Sequence, residues 1–194
     1  MKFKRKEKSK VMSKGMWMVI FIAVIMVLSS IGFIYDQSGG SKMTYNGYKF
    51  KQAGNKWAVK ISDQYQYFDY SPGELVFLNV TGLKEKILAS PNITITFDSE
   101  TQDLSYIDLA RFELANHLIK TKIVLNAVAN ESKAYQLPVV TCNNATNDNV
   151  VIYFKRGPDL SITIDNDCVI AEGKGIDFIM LKDRIAYAYY GIMD

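Results

Sequence analysis

Residues 16–35 read MWMVIFIAVIMVLSSIGFIY, an apolar stretch of twenty residues with no charged residue and no proline. As a helix that rises about 1.5 Å per residue, it would extend about 30 Å, which is the thickness of the hydrocarbon core of a bilayer. The stretch therefore predicts one transmembrane helix. It divides the chain into a short segment before it and a long segment after it.

The segment before the apolar stretch, residues 1–15, is strongly basic. It carries seven Lys or Arg residues and one Glu. Basic residues beside a membrane span stay in the cytoplasm by the positive-inside rule, so we expect a cytoplasmic tail at 1–15 and an extracytoplasmic chain after residue 35. Residues 16–194 hold 16 Lys or Arg and 19 Asp or Glu. No extended basic region is left there, so nucleic acid is not an expected partner.

Three hypotheses explain the apolar stretch. An uncleaved anchor is favoured over a cleaved signal peptide, because the apolar core exceeds about 7–15 residues and no A-x-A cleavage site follows it. A pilin-like filament subunit is an alternative, because Lys14-Gly15-Met16 resembles the processing site of archaeal pilin precursors. Against it, DQSGGS at 36–41 is typical of a flexible tether, and we assign residues 36–44 to a linker.

Residues 45–194 form the predicted folded domain, which begins with short aromatic runs. YNGYKF at 45–50, KWAVKIS at 56–62 and YQYFDY at 65–70 predict a meander of two or three antiparallel strands. SPGE at 71–74 predicts the start of a short helix through residue 79, with Ser at the N-cap and Pro at the first position. Residues 83–89 show no clear period.

The rest of the domain predicts a mixed sheet. A β-branched strand at 93–97, an amphipathic helix at 104–120 and a strand from 123 make a βαβ unit with parallel pairing. Later elements are a short helix at 133–137, a hairpin of 150–154 with 160–164, a strand from 168 and a final amphipathic helix at 177–190. The fold class is α/β, with a mixed sheet, a βαβ unit and an N-terminal antiparallel β-meander, preceded by one transmembrane helix.

Two cysteines, Cys142 and Cys168, lie in the part of the chain predicted to be extracytoplasmic. Cysteine pairs in an oxidising compartment usually form a disulfide, and we expect one here. An alternative is a sortase-like transpeptidase, because VTC at 140–142 resembles the end of the motif before the sortase nucleophile, with His117 upstream and Arg156 downstream. A disulfide at Cys142 would exclude that alternative.

No other residue pattern requires a reaction, so no catalytic, cofactor-binding or metal-binding residues and no cofactor are predicted. His117 is the only histidine, and one His with two Cys cannot make a usual zinc site. Asp165-Asn166-Asp167 resembles half of a calcium loop, but an exposed turn is the preferred interpretation. Gly173-Lys174-Gly175 matches no phosphate-binding motif. Asp183-Arg184 is expected to form a structural salt bridge.

Four N-x-[ST] sequons mark candidate glycosylation sites. They begin at Asn79, Asn92, Asn130 and Asn144. Asn92 is the doubtful one, because it adjoins the predicted strand at 93–97. In a host that glycosylates its surface proteins, these sequons support an exterior placement of the domain.

The folded domain contains the segments YNGYKF, YFDYSPGE, PVVTC, DCVIAEG and KDRIAYAYYGIM. In these segments and in its order of tail, anchor and domain, the chain resembles uncharacterised single-pass membrane-anchored proteins of small-genome archaea. The resemblance covers nearly the whole chain and implies the same topology and paired cysteines. It transfers no activity and no catalytic residue.

The sequence therefore predicts a cell-membrane protein with a cytoplasmic N-terminus and an extracytoplasmic C-terminal domain. Its expected function is non-catalytic binding at the cell envelope, with the bilayer and another envelope protein or a glycan as partners. An envelope hydrolase or sortase-like transpeptidase, and a pilin-like subunit, stay open as alternatives.

Overall fold

The computed structural model describes the backbone of residues 14–38 and 40–194, and the side chains of residues 15–27 and 40–194. The chain divides into two units, residues 1–41 and 42–194. Residues 1–13 of the predicted basic tail lie outside the described residues.

The described part of the first unit consists mainly of the helix α1 (Lys14–Ser38). Among the described residues, no helix combines the length and the apolar character needed to cross a membrane. The predicted transmembrane segment includes residues 28–35, whose side chains lie outside the described part. The helix continues three residues into the predicted linker, because Asp36, Gln37 and Ser38 include no glycine or proline that would stop it.

The second unit opens with an antiparallel sheet of four strands in the order β1-β2-β3-β4. The strands are β1 (Lys42–Tyr45), β2 (Tyr48–Ala53), β3 (Lys56–Ile61) and β4 (Gln64–Phe68). The predicted meander is confirmed, but it has one strand more than expected, and β1 takes residues 42–44 from the predicted linker. Asn46 and Gly47 both have positive φ, as a two-residue hairpin turn requires. The segment YNGYKF therefore contains the end of β1, this turn and the start of β2.

A second sheet has five strands in the order β6-β5-β7-β9-β8. They are β5 (Asn92–Phe97), β6 (Ile123–Asn126), β7 (Asn149–Arg156), β8 (Ser161–Asp165) and β9 (Cys168–Gly173). β5 and β6 pair in parallel across α3 (Leu104–Leu118), which confirms the βαβ unit. The mixed α/β character of the domain is confirmed as well.

The predicted hairpin of residues 150–154 with 160–164 is wrong. β7 pairs in parallel with β5 and β9, and β8 pairs with β9 through a turn at Asn166, whose φ is +52°. Residues 150–152 of β7 are all buried, as expected for a central strand that is covered on both faces. With a parallel neighbour on each edge, the strand forms backbone hydrogen bonds along both edges, whereas a hairpin with β8 alone would satisfy one edge only.

The C-terminal helix, α4 (Asp177–Tyr189), lies between the two sheets. Tyr187 stacks on Phe68 of the first sheet with ring centroids 4.2 Å apart, and Phe178 contacts Phe154 of the second sheet at 6.1 Å. Residues 181–189 are all buried, so the amphipathic character predicted for this helix is wrong. The helix is covered on all sides, and its charged residues are therefore inside the protein.

Three short segments complete the unit. A 3-10 turn at Pro72–Leu75 has the predicted capping box of Ser71 and Glu74, but it ends four residues earlier than expected. Residues 83–89, undecided from the sequence, form α2 (Leu83–Ala89). The helix predicted at 133–137 is absent, because the backbone N–H groups of Ala134 and Tyr135 donate to Ser132 Oγ in a local turn.

Candidate functional site

Three consecutive residues of α4, Lys182, Asp183 and Arg184, are buried, with exposed fractions of 0%, 0% and 1%. Charged side chains are almost never buried unless they are paired. Because α4 is covered by both sheets and by α3, each of the three must find its partners inside the protein. This cluster is the first candidate site.

Lys182 is held by a ring of alternating charges. Its Nζ lies 2.7 Å from Asp69 Oδ2 and 2.6 Å from Glu113 Oε2. Lys56 Nζ lies 3.0 Å from the other oxygen of each of these carboxylates. The four side chains come from β3, the residue that follows β4, α3 and α4, so the ring joins the first sheet to both helices.

The ring keeps its members ionised. Burial alone would raise the pKa of Asp69 and Glu113, but hydrogen bonds and charge from Lys182 and Lys56 outweigh it and hold both pKa values below their usual range. Burial would lower the pKa of Lys182, yet the adjacent carboxylates raise it. The four groups neutralise one another, which supports a structural role for the ring.

Asp183 and Arg184 fix chain segments to α4. Asp183 Oδ2 accepts the backbone N–H groups of Asp69 and Tyr70 at 2.7 and 2.8 Å, and its Oδ1 lies 2.7 Å from Lys182 Nζ. Burial raises the pKa of Asp183 to about 6, so the carboxylate is ionised at pH 7. Arg184 donates to the carbonyl oxygens of Leu78 and Asp194. The salt bridge expected for Asp183-Arg184 is therefore made by Asp183, and its partner is the adjacent Lys182.

His117 is buried beside the ring and belongs to a short polar chain. Its ring stacks on Phe68 at 5.2 Å, and its Nδ1 lies 3.1 Å from the Tyr190 hydroxyl. Tyr190 donates its single hydroxyl hydrogen to Gln66 Oε1 at 3.0 Å. His117 must then be the donor at Nδ1, which assigns the neutral tautomer with Nε2 unprotonated.

The burial of His117 predicts acid sensitivity. Burial, together with the charge of Lys182 and Lys120, lowers its pKa from 6.5 to about 4. The unfolded chain therefore binds this proton more readily, so stability is present above pH 6.5 and falls as the pH drops to 4. We expect a loss of about 3 kcal/mol at pH 4 from this residue.

The measurement is urea unfolding from pH 7 to pH 4 for the wild type and His117→Gln. Asp183 opposes the trend, because its raised pKa contributes stability that is lost as the pH rises from about 4 to 6. The difference between the two proteins cancels this term and isolates His117. Equal pH slopes for the two proteins would show that the pKa of His117 is not lowered.

The two cysteines form the predicted disulfide. Cys142 lies in a 3-10 turn at Cys142–Asn144, and Cys168 begins β9, with 5.2 Å between their Cα atoms. The bond ties the segment between β6 and β7 to the five-stranded sheet. It leaves no thiol at Cys142, so the nucleophile that the sortase-like hypothesis needs is missing.

The sequon asparagines differ in environment. Asn79 and Asn144 are exposed, Asn79 in a loop and Asn144 at the end of a 3-10 turn, where its Oδ1 accepts the backbone N–H of Thr141 at 2.9 Å. Asn92 is half-buried at the start of β5, and its Nδ2, the atom that a glycan would occupy, donates to Asp148 O at 2.8 Å. Asn130 is half-buried, and its Oδ1 accepts the backbone N–H of Ser99. Asn79 and Asn144 are therefore the better candidates for glycosylation.

The remaining sequence motifs occupy turns. Asp165 and Asn166 lead into the β8–β9 turn, and Asp167 forms an ion pair with Lys86 at 2.7 Å. Within residues 40–194, no group of three or more acidic, His or Cys side chains is placed to hold a metal ion. Gly173-Lys174-Gly175 leads into α4, where the backbone N–H of Lys174 donates to Asp177.

The outer face of the four-stranded sheet is the second candidate site. Alternate residues of β1 to β4 point away from α4, and apart from the ion-paired Lys56 the long side chains among them are exposed. We call this surface the lysine–tyrosine face; it consists of Lys42, Lys49, Lys51, Lys60, Tyr65 and Tyr67. The alternation of Lys49 and Lys51 with buried Phe50 is a sequence signal that could have identified it.

A depression of about 510 Å³ lies on this face. Ala58 forms part of it, between Lys51 and Tyr67 in the strand register. Alanine has only a methyl group where its neighbours have long side chains, and these side chains cover it, so Ala58 forms the floor of the depression with 5% of its surface exposed. The depression is open to solvent and is bordered by cations and an aromatic ring.

No family model, no curated protein and no solved structure matches this chain. The resemblance to archaeal membrane-anchored proteins therefore stays a prediction.

Proposed function

We propose that this chain is a membrane-anchored, extracytoplasmic protein whose folded domain binds another component of the cell envelope, without catalysing a reaction. The lysine–tyrosine face is the observation that carries the proposal. On this exposed surface, cationic and aromatic side chains surround a depression on one side of the four-stranded sheet.

The membrane part of the proposal is supported by α1. Every large apolar side chain from Met16 to Val27 is exposed to the surroundings of the helix. A helix that is apolar all round is suited to hydrocarbon and is unfavourable in water. The uncharged sequence continues to Tyr35, which brings its length to that of a bilayer core.

The extracytoplasmic part is supported by the disulfide. Structural disulfides persist in oxidising compartments and are rare in the cytosol. Exposed sequons at Asn79 and Asn144 agree with an exterior surface.

The binding part is supported by the contrast between the two candidate sites. Lys182, Asp69, Glu113 and Lys56 are paired with one another, and Lys182 is fully buried. Lys42, Lys49 and Lys51, by contrast, have no carboxylate partner among the described residues. Their charges are available to a ligand.

Topology is tested with single added cysteines in the full-length chain, expressed in intact cells and treated with a membrane-impermeant maleimide. We expect Lys133→Cys, on an exposed loop, to be labelled in intact cells, and Lys8→Cys, in the basic tail, to be labelled only after lysis. The reverse pattern, or labelling of both only after lysis, would contradict the proposal.

Binding is tested with the full-length chain in nanodiscs of phosphatidylcholine, incubated with isolated cell envelopes that lack this protein. Retention of the chain by the envelopes is the expected result. Empty nanodiscs are the control. A chain that is retained no better than empty nanodiscs would contradict the binding part of the proposal and leave the topology untouched.

A further inference from the structure

We infer that the lysine–tyrosine face is a binding site for an anionic polysaccharide, a linear glycan that carries carboxylate or sulfate groups. The inference rests on the proposed function and names its ligand. It follows from the charge on this face, its register, its two exposed tyrosines and the compartment that the disulfide indicates.

The positive charge of the face is local. Residues 42–194 carry 16 Lys or Arg and 18 Asp or Glu, a net charge of −2. Four lysines nevertheless share one side of the four-stranded sheet, and the only carboxylate described in contact with any of them is Asp63, 2.8 Å from Lys60. A polyanion would find its complement on this face, although the domain as a whole carries a net negative charge.

The register places like charges side by side. Lys42 is directly opposite Lys51 in the β1–β2 ladder, and Lys49 is opposite Thr44 on the same face. Continuing the β2–β3 register by one step places Lys49 opposite Lys60. Like charges directly across a ladder destabilise a sheet. Anionic groups bound between these lysines would remove that repulsion. The arrangement therefore favours binding of an anion at the expense of the stability of the unbound sheet.

The tyrosines supply the contact for a sugar ring. Tyr65 and Tyr67 on β4 are 61% and 50% exposed, and in the register they lie opposite Lys60 and Ala58. An exposed aromatic ring offers a flat apolar surface with a polar hydroxyl at its edge. The C–H groups on one side of a pyranose ring pack against such a surface, while its charged substituent reaches a neighbouring lysine.

Size and chemistry favour a glycan over nucleic acid. Four strands span about 14 Å, and alternate residues along a strand are about 7 Å apart, so the face accommodates several units of a linear chain. Its cations are all lysines, which act as point charges, whereas phosphate and base recognition favours the bidentate guanidinium of arginine. The disulfide indicates a compartment where glycans, and not nucleic acids, are the abundant polyanions.

The experiment measures binding of polygalacturonate to the full-length chain in phosphatidylcholine nanodiscs by biolayer interferometry. Neutral dextran is the matched uncharged glycan. The test variant is Lys49→Gln/Lys51→Gln, and its control is Lys133→Gln/Lys174→Gln, which removes the same charge from exposed positions elsewhere. Tyr65→Ala and Tyr65→Phe test the aromatic contact separately from charge.

We expect binding of polygalacturonate but not of dextran. The affinity should fall as the salt concentration rises from 0.05 to 0.5 M, because the charges are exposed and the Debye length, about 10 Å at 0.1 M salt, shortens as salt is added. Lys49→Gln/Lys51→Gln should weaken binding at least tenfold and the control pair less than twofold. Tyr65→Ala should weaken it several-fold, and Tyr65→Phe should retain it.

Equal losses in the two lysine pairs would overturn the inference, because net charge alone would then explain binding. Tighter binding of single-stranded DNA, or of phosphatidylglycerol vesicles, than of polygalacturonate would also overturn it. If isolated envelopes retain Lys49→Gln/Lys51→Gln as well as the wild type, the site is wrong and the proposed function stands. If they retain neither protein, the proposed function fails as well.

Discussion

Replacing Lys182 by methionine should destabilise the domain by about 3–5 kcal/mol, the range measured when one partner of a buried ion pair is removed. Methionine keeps most of the apolar length of the side chain, so the effect reports the charge. Lys182 is fully buried and contacts Asp69, Glu113 and Asp183 at 2.6–2.7 Å. Without it, Asp183 keeps only two backbone donors in the centre of the protein. Urea unfolding at pH 7 measures the loss.

Lys56→Met is the matched control. Lys56 contacts the same two carboxylates, Asp69 and Glu113, but 38% of its side chain is exposed. Water screens such a pair, and its loss should remove no more than about 1 kcal/mol. Equal effects of the two substitutions would contradict the argument that burial decides the strength of this ring.

The effect of Lys182→Met should also depend on pH. Without the ammonium, desolvation raises the pKa of the buried Asp183 carboxylate further above its unfolded value. A carboxyl group with a raised pKa contributes stability at low pH that is lost as the pH rises. The destabilisation by Lys182→Met should therefore be smaller at pH 4 than at pH 7. An unchanged difference would indicate that the carboxylates are solvated after the substitution.

Removing the disulfide should produce the second large effect. Cys142 and Cys168 are separated by 26 positions, and closing such a loop stabilises the folded state by about 3.5 kcal/mol in the chain-entropy model. For a domain of this size we expect Cys142→Ala/Cys168→Ala to lower the Tm by roughly 10 °C. Thermal unfolding of the full-length chain measures it.

The reduced wild-type protein is the control for that double substitution. Reduction removes the same covalent link without changing a side chain's size, so it should lower the Tm by a similar amount. The reductant should leave the Tm of Cys142→Ala/Cys168→Ala unchanged. A wild type that is insensitive to reductant under denaturing conditions would contradict the presence of the disulfide.

Short-range sequence patterns predicted the strands and the helix that depend on the spacing of neighbouring residues. Period-two alternation predicted the meander, and the 3.6-residue period of Ile107, Ala110, Leu114 and Leu118 predicted α3, where all four are buried. The disulfide followed from composition, since two cysteines allow one pairing. The Asn46-Gly47 turn was missed although its sequence is a strong hairpin signal, because aromatic residues on both sides were read as one strand.

Strand order was not predictable in the same way. KRGPD at 155–159 has the composition of a turn, which made a hairpin of its flanking strands the natural hypothesis. Parallel pairing of β7 with β5 and β9 joins segments that are distant along the chain, and no turn sequence encodes it. The burial of both faces of β7, and not a turn sequence, determines this pairing.

By itself, the sequence determined the apolar stretch at 16–35, the main strands and helices of the domain, and the cysteine pair, because each depends on residue type and short-range spacing. Only the tertiary structure decided which charges are buried and which are free. Lys56, Asp69, Glu113 and Lys182 come from β3, the residue after β4, α3 and α4, and Lys42, Lys49, Lys51 and Lys60 come from three strands. Folding pairs the first four side chains around the fully buried Lys182 and leaves the second four on an open face, because side-chain direction and strand register set which residues meet.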